Sequence, residues 1–196
     1  MALPDKKYIL AEDYFNLEEA SENKNEYFYG EIFAMSGASF NHNVIAMNFS
    51  STLHQKFQKT NCFVFPGDMK IELIQDLHYV YPDISVVCGD INFVKNRNDI
   101  IKNPLVVIEV LSKSTMDYDK GSKFTSYRKI NSLNDYILVD QYSYHVEHFY
   151  KNSKNEWILN EFLSVNDSFI IKSIDIEILL KIIYNRVKIS KSELLT

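Results

Sequence analysis

Two mostly apolar runs constrain this chain more than any other feature. Val80-Tyr81-Pro82-Asp83-Ile84-Ser85-Val86-Val87 and Pro104-Leu105-Val106-Val107-Ile108-Glu109-Val110-Leu111 both read as strands, and each carries one acidic residue inside the run. A carboxylate buried charged and unpaired costs several kcal/mol, so each site must offer a metal, a cation or a proton. Two such strands close in sequence point to one shared ligand.

The rest of the chain supplies enough apolar material to bury them. The 196 residues are 46% hydrophobic and include 13 Tyr and 13 Phe, which excludes a disordered chain and is expected to build one domain. No internal repeat or low-complexity stretch interrupts it. No apolar run approaches the roughly 20 residues that span a bilayer. Met1-Ala2-Leu3-Pro4-Asp5-Lys6 lacks the apolar core of a signal peptide, so the expected compartment is the cytoplasm, with no membrane partner. Cys62 and Cys88 have no C-x-x-C spacing and are expected as reduced core thiols.

Net charge is −5, which argues mildly against a nucleic-acid partner. Its distribution is uneven. Residues 95–129 hold eight bases (Lys95, Arg97, Lys102, Lys113, Lys120, Lys123, Arg128, Lys129) against four acids (Asp99, Glu109, Asp117, Asp119), +4 locally and −9 elsewhere. Such a segment is either a phosphate-attracting face or a set of ordinary solvated lysines.

In chain order, Leu10 to Glu22 has the spacing of a short amphipathic helix. Glu26 to Tyr29 and Ile32 to Met35 flank Gly30-Glu31 as a hairpin. Asn41 to about Lys59 predicts a helix capped by Ser39 or Asn41, with His42 in its first turn as a surface or capping residue. Cys62 to Phe65 and Met69 to Leu73 read as strands around Pro66-Gly67-Asp68, and residues 89–103 as a polar connection. A helix from about Lys120 to Ile130 would put Lys123 and Tyr127 on one face. Residues 135–140 and 145–150 predict a strand pair, 157–159 and 168–171 further short strands, 174–186 a packing helix, and 187–196 a tail. His145 and His148 would point to opposite faces of their strand, a structural rather than a chelating arrangement.

Magnesium takes oxygen ligands, typically one or two carboxylates plus substrate phosphate oxygens. Asp83 and Glu109 supply such a pair, with the carbonyl of Val110 as a third ligand. Lys123 is available to orient or deprotonate an attacking water, or to stabilise developing charge. The structural alternative has Asp83 capping the turn after Pro82 and Glu109 paired with Lys113 or Arg128.

The order Glu26…Gly30-Glu31, His42, Pro66-Gly67-Asp68, Pro82-Asp83-Ile84-Ser85-Val86-Val87, Val107-Ile108-Glu109-Val110-Leu111-Ser112, Ser114-Thr115, Asp119, Lys123-x-x-x-Tyr127 and Tyr136-Ile137-Leu138-Val139-Asp140 closely resembles the Uma-type restriction endonuclease family, over roughly residues 8 to 185. That family is assigned to the PD-(D/E)XK nuclease superfamily. The resemblance implies an α/β (α+β) fold with a restriction endonuclease-like core, a mixed central sheet flanked by helices, and Mg2+- or Mn2+-dependent cleavage of DNA. It implies Asp83 as the aspartate of the PD element, Glu109 as the acid of the second strand, and Glu26 as an upstream glutamate that completes the metal shell or holds a water. Leu111 stands where the superfamily has lysine, and Lys123 occupies the place of a lysine moved to the following helix. Tyr127 and His42 match family positions as accessory residues, and Asp68 matches a motif whose role does not follow from the residues. By analogy, a duplex-cutting enzyme suits a homodimer. The competing readings are a nuclease fold without turnover that binds nucleic acid or a protein, and a hydrolase of smaller phosphate esters.

Overall fold

The computed structural model of the chain describes residues 8–189. The N-terminal segment Met1 to Lys6 and the tail from residue 190 onward lie outside the described residues.

Helix α1 (Ala11–Ala20) carries Glu12 and Asp13 in its first turn, where the helix dipole favours negative charge. Strands β1 (Asn25–Phe28) and β2 (Glu31–Ala34) form the expected hairpin, with its turn one residue earlier than expected, at Tyr29-Gly30 rather than Gly30-Glu31. Tyr29 and Gly30 both take positive φ, 47° and 86°, as a two-residue type I′ turn requires. Helix α2 (Phe40–Phe57) starts at Ser39, whose hydroxyl accepts the His42 N–H at 3.2 Å. Ile45, Phe49, Leu53 and Phe57, four apart, are its buried stripe.

The next strands are β3 (Cys62–Pro66), β4 (Lys70–Ile74), β5 (His78–Val80), β6 (Ile84–Cys88), β7 (Ile100–Ile101) and β8 (Val106–Leu111). A short helix α3 (Met116–Tyr118), a π-helical turn (Asp119–Lys123) and α4 (Phe124–Tyr127) follow. The chain continues through β9 (Asp135–Asp140), β10 (Val146–Lys151), β11 (Trp157–Phe162), β12 (Ser168–Ile171), β13 (Ile176–Leu179) and α5 (Leu180–Ile183).

These strands make a six-stranded sheet ordered β11-β10-β9-β8-β6-β3, a five-stranded sheet ordered β2-β1-β5-β4-β7, and a β12–β13 ribbon. The six-stranded sheet is mixed, with β8 parallel to β9 and antiparallel to β6. Alternation along β8 sorts its side chains between two cores. Val106, Ile108 and Val110 pack with the stripe of α2, with α5 and with the ribbon. Val107 and Leu111 face the other way, against Ile71, Val80 and Ile101 of the five-stranded sheet and Phe124 and Tyr127 of α4. Glu109 lies between Val107 and Leu111 in this period and so points into the layer between the sheets. Helix α1 covers the far side of the five-stranded sheet through Tyr14, Tyr27, Tyr79 and Ile100. Among the described residues, no helix is long and apolar enough to cross a membrane.

The structure corrects several expectations. The run 80–87 is not one strand: Val80 ends β5 in one sheet and Ile84 begins β6 in the other, with Pro82 unable to donate to a ladder between them. Residues 89–103 are not wholly irregular, because Ile100–Ile101 pairs in parallel with β4. The helix from Lys120 to Ile130 is replaced by α3, the π-helical turn and α4. The packing helix over 174–186 is β13 followed by the short α5; Ile176 and Ile178 alternate as strand residues and pair with β12. Cys62 and Cys88 are not free thiols. The β3–β6 register sets them directly opposite, 3.9 Å apart at Cα, in a disulfide. The Gly89 N–H bonds the Asn61 carbonyl, which makes Cys62–Cys88 a non-hydrogen-bonded cross-strand pair, where side chains come closest.

The buried Asp135 ties the ribbon to the sheet. It accepts the N–H groups of Lys172 and Ser173, each at 3.0 Å, and meets His148 Nε2 at 2.6 Å. Asp135→Asn turns one of these acceptors into a donor and is expected to lower stability by about 2 kcal/mol. Urea denaturation with an unchanged slope checks this.

Candidate active site

Extending the β6–β8 register from Ile84 opposite Ile108 sets Asp83 opposite Glu109. The two acids cross-brace their strands. Asp83 Oδ2 accepts the Val110 N–H at 2.7 Å, and Glu109 Oε2 accepts the Asp83 N–H at 3.2 Å. The Pro66-Gly67-Asp68 turn supports this corner, since the Gly67 N–H donates to the Asp83 carbonyl at 2.8 Å. Gly67 has φ of 60°, a conformation that favours glycine. Asp68 itself faces outward and pairs with Lys24.

Lys123 sits in the middle of the cluster. Its Nζ lies 2.9 Å from Glu109 Oε1, 3.4 Å from Glu26 Oε1 and 3.4 Å from Asp119 Oδ1. The Tyr127 hydroxyl donates to the same Glu109 oxygen at 3.2 Å, and Glu26 accepts the Tyr81 N–H at 3.2 Å. Lys123 is 4% exposed and Glu109 3%. The lysine reaches the strand acid from the π-helical turn, a feature often found at functional sites.

Residues foreseen at the site thus converge: Asp83, Glu109, Lys123, Glu26 and Tyr127, with Val110 supplying a backbone N–H. His42 proves more than a capping or surface residue, because its Nε2 lies 3.1 Å from Asp83 Oδ2. Glu109 pairs with neither Lys113 nor Arg128. Asp119 stands in the residue order that carries the family resemblance, but sequence reasoning gives it no role at the site; its signals are that place in the order and the four-residue spacing to Lys123. His145 and His148 do not converge, the first meeting Glu161 at 3.0 Å and the second Asp135. Part of the basic segment is engaged internally: Arg97 pairs with Asp99 and Glu19, Lys120 with Glu147, and Lys123 is buried.

Burial pushes the Glu109 carboxyl well above its ordinary range, Lys123 opposing and Asp119 and Asp83 adding to the rise. Asp119 is raised as well, first by burial. Burial alone would lower Lys123, yet Glu109, Glu26, Tyr127 and Asp119 together hold it well above its usual value, so it is an ammonium. Glu26, Glu109 and Asp119 therefore surround one fixed cation, with Asp83 beside Glu109 on the adjoining strand. This excess of hard oxygen donors over positive charge fits a divalent metal such as Mg2+ or Mn2+.

His78, beside the cluster at 3.4 Å from the Tyr118 hydroxyl, is pushed down to about 4 by burial and then by Lys123 and Lys129. A depressed value means the unfolded chain binds the proton first. The stability that His78 confers is full above its unfolded value near 6.5 and is lost as pH falls to about 4. The loss is expected to be about 3 kcal/mol. Urea titrations from pH 7 to 4 check it, and His78→Gln should flatten that slope.

A mixed sheet that presents paired acids at the rim of adjoining strands places the molecule in the restriction endonuclease-like class of folds. The crystal structure of a "putative nuclease belonging to DUF820" from Anabaena variabilis has the same architecture, with a TM-score of 0.74 at 19% identity over 95% of this chain and 99% of that one. Residues 11–180 match the model of the Uma2 family, described as "Putative restriction endonuclease", and the chain belongs to that family. Two uncharacterized Synechocystis proteins are similar along most of their length. Protein sll1609 is 35% identical over 166 residues, 85% of this chain and 94% of its own length. Protein slr1290 is 34% identical over 173 residues, 88% of this chain and 90% of its own.

Proposed function

We propose that the chain is a metal-dependent endonuclease that hydrolyses DNA phosphodiester bonds. The observation that carries this is the contact of Lys123 with Glu109 at 2.9 Å, beside Asp83 on the opposing strand. Asp83 and Glu109 would hold Mg2+ or Mn2+, with the Val110 carbonyl as a further ligand. The metal, when bound, supplies neutralisation of phosphate charge and lowers the pKa of a water.

The protein's own groups divide the remaining work. Lys123, kept protonated, acts by stabilising negative charge on the phosphate rather than as a base. Glu26 and Asp119 fix where that ammonium sits. Tyr127 holds Glu109 Oε1, and His42 with the Val110 N–H fixes the orientation of Asp83. We place this activity in a single domain with its core over residues 8–185, a homodimer supplying one site for each strand of a locally opened duplex.

The test is conversion of supercoiled plasmid to nicked and linear forms. Cleavage should require Mg2+ or Mn2+ and vanish in EDTA. Equal cleavage in EDTA would contradict the proposal. DNA binding with no cleavage under any divalent metal would instead favour the reading as a binding module without turnover, which the absence of a strand lysine at Leu111 motivates.

A further inference from the structure

The surface beside the carboxylate cluster carries two cation–aromatic pairs that the proposed chemistry leaves unused. Lys188 Nζ lies 5.2 Å from the centre of the Phe40 ring, and Lys113 Nζ lies 5.1 Å from that of Tyr142. Phe40 is 59% exposed and stands apart from the stripe of Ile45, Phe49, Leu53 and Phe57 that α2 turns inward, so its ring serves no core. Both pairs adjoin residues of the site along the chain. Phe40 shares the first turn of α2 with His42, which contacts Asp83, and Lys113 lies on the segment that leaves β8 after Glu109.

The scaffold beneath them is fixed by hydrogen bonds. Gln141 donates to the Leu111 carbonyl at 2.8 Å and accepts the Ser39 hydroxyl. Asn41 donates to the carbonyls of Gln141 at 3.1 Å and Lys188 at 2.9 Å, and accepts the Lys188 N–H at 3.0 Å. Asp140 accepts the Tyr142 N–H at 2.7 Å. Groups held this way lose little freedom when a ligand binds.

Phe40 is exposed and Tyr142 half-buried, and accessible rings beside ammonium groups suit unpaired bases and the phosphates that flank them. A duplex hides its base faces in its own stack and draws its affinity from a broad basic surface. The chain instead carries a net charge of −5, and Arg97 and Lys120 of its most basic segment are engaged by acids.

We propose that Phe40 and Tyr142, with Lys188 and Lys113, form a platform that receives an unpaired nucleic-acid strand and leads it to Asp83 and Glu109. The role of the platform as a lead-in rests on the nuclease reading; its binding does not.

The test is fluorescence anisotropy in EDTA with labelled oligothymidylate and oligouridylate of about 15 nucleotides and a DNA duplex of equal length. At least one single strand should bind about tenfold more tightly than the duplex, the tighter of the two identifying DNA or RNA. Phe40→Ala and Tyr142→Ala should each weaken that binding by about tenfold, with Phe40→Trp retaining it. Phe63→Ala, an exposed aromatic on β3, should leave it unchanged. A duplex bound as tightly as the single strands, or binding indifferent to both Phe40→Ala and Tyr142→Ala, would overturn the platform. The two proposals fail separately. Metal-dependent plasmid cleavage together with strand binding indifferent to both ring variants removes the platform and keeps the nuclease, whereas ring-dependent strand binding without any cleavage removes the nuclease and keeps the platform.

Discussion

Asp83→Ala is expected to lower metal-dependent plasmid cleavage by about two to three powers of ten, as removal of one preorganised charge partner does. The fold should survive. The Asp83 side chain is partly exposed at the rim of β6, and its loss leaves one backbone donor, the Val110 N–H, without its acceptor. That costs about 1 kcal/mol, well within the stability of a chain this size. Asp83→Asn separates the two contributions, because an amide oxygen still accepts from Val110 while the charge is gone. Cleavage lost in both variants with near-normal melting assigns the effect to charge. Cleavage retained in Asp83→Asn would assign it to strand bracing and remove Asp83 from the proposed ligand set.

The second large effect is expected on stability. Lys123→Met takes the ammonium from between Glu26, Glu109 and Asp119 and leaves buried carboxylates uncompensated, which typically costs about 3–5 kcal/mol. The sign with pH follows from the raised values of Glu109 and Asp119. Groups raised in the folded state favour folding when protonated, so the deficit of the variant should be largest near neutral pH and shrink as pH falls toward the ordinary carboxylate range. Urea midpoints at pH 7 and pH 5 measure it. An equal deficit at both would show that the loss is one of packing rather than of charge.

Much of the molecule is legible in its sequence because local rules and burial agree there. The hairpin around Tyr29-Gly30 and helix α2 behind its Ser39 cap are of this kind. So is the alternation along β8, which sends Val106, Ile108 and Val110 to the α2 core and Val107 and Leu111 to the opposite one. Glu109 follows the same period and so shares a face with Val107 and Leu111, but that this face meets a second sheet is not readable from an apolar run.

The rest depends on contacts between distant residues. Nothing local shows that Pro82 passes the chain from one sheet to another, since the residues on both sides of it are equally apolar. The 174–186 segment satisfies a helical spacing and a strand alternation alike, and pairing with β12 decides for the strand. The Cys62–Cys88 bond depends on the register of β3 against β6, which a separation of 26 residues does not reveal. At the candidate site, Asp83, Glu109 and Lys123 can be named from residue type and order. The contact of His42 with Asp83 and the share of Asp119 in holding Lys123 need the packing of α2 and the π-helical turn against the strand ends.

The most direct measurement is an anomalous difference map from a crystal soaked in Mn2+ at a concentration that supports plasmid cleavage. The account predicts a manganese peak coordinated by carboxylate oxygens of both Asp83 and Glu109. A map with no peak between those two side chains, from protein that still cleaves DNA, would contradict it.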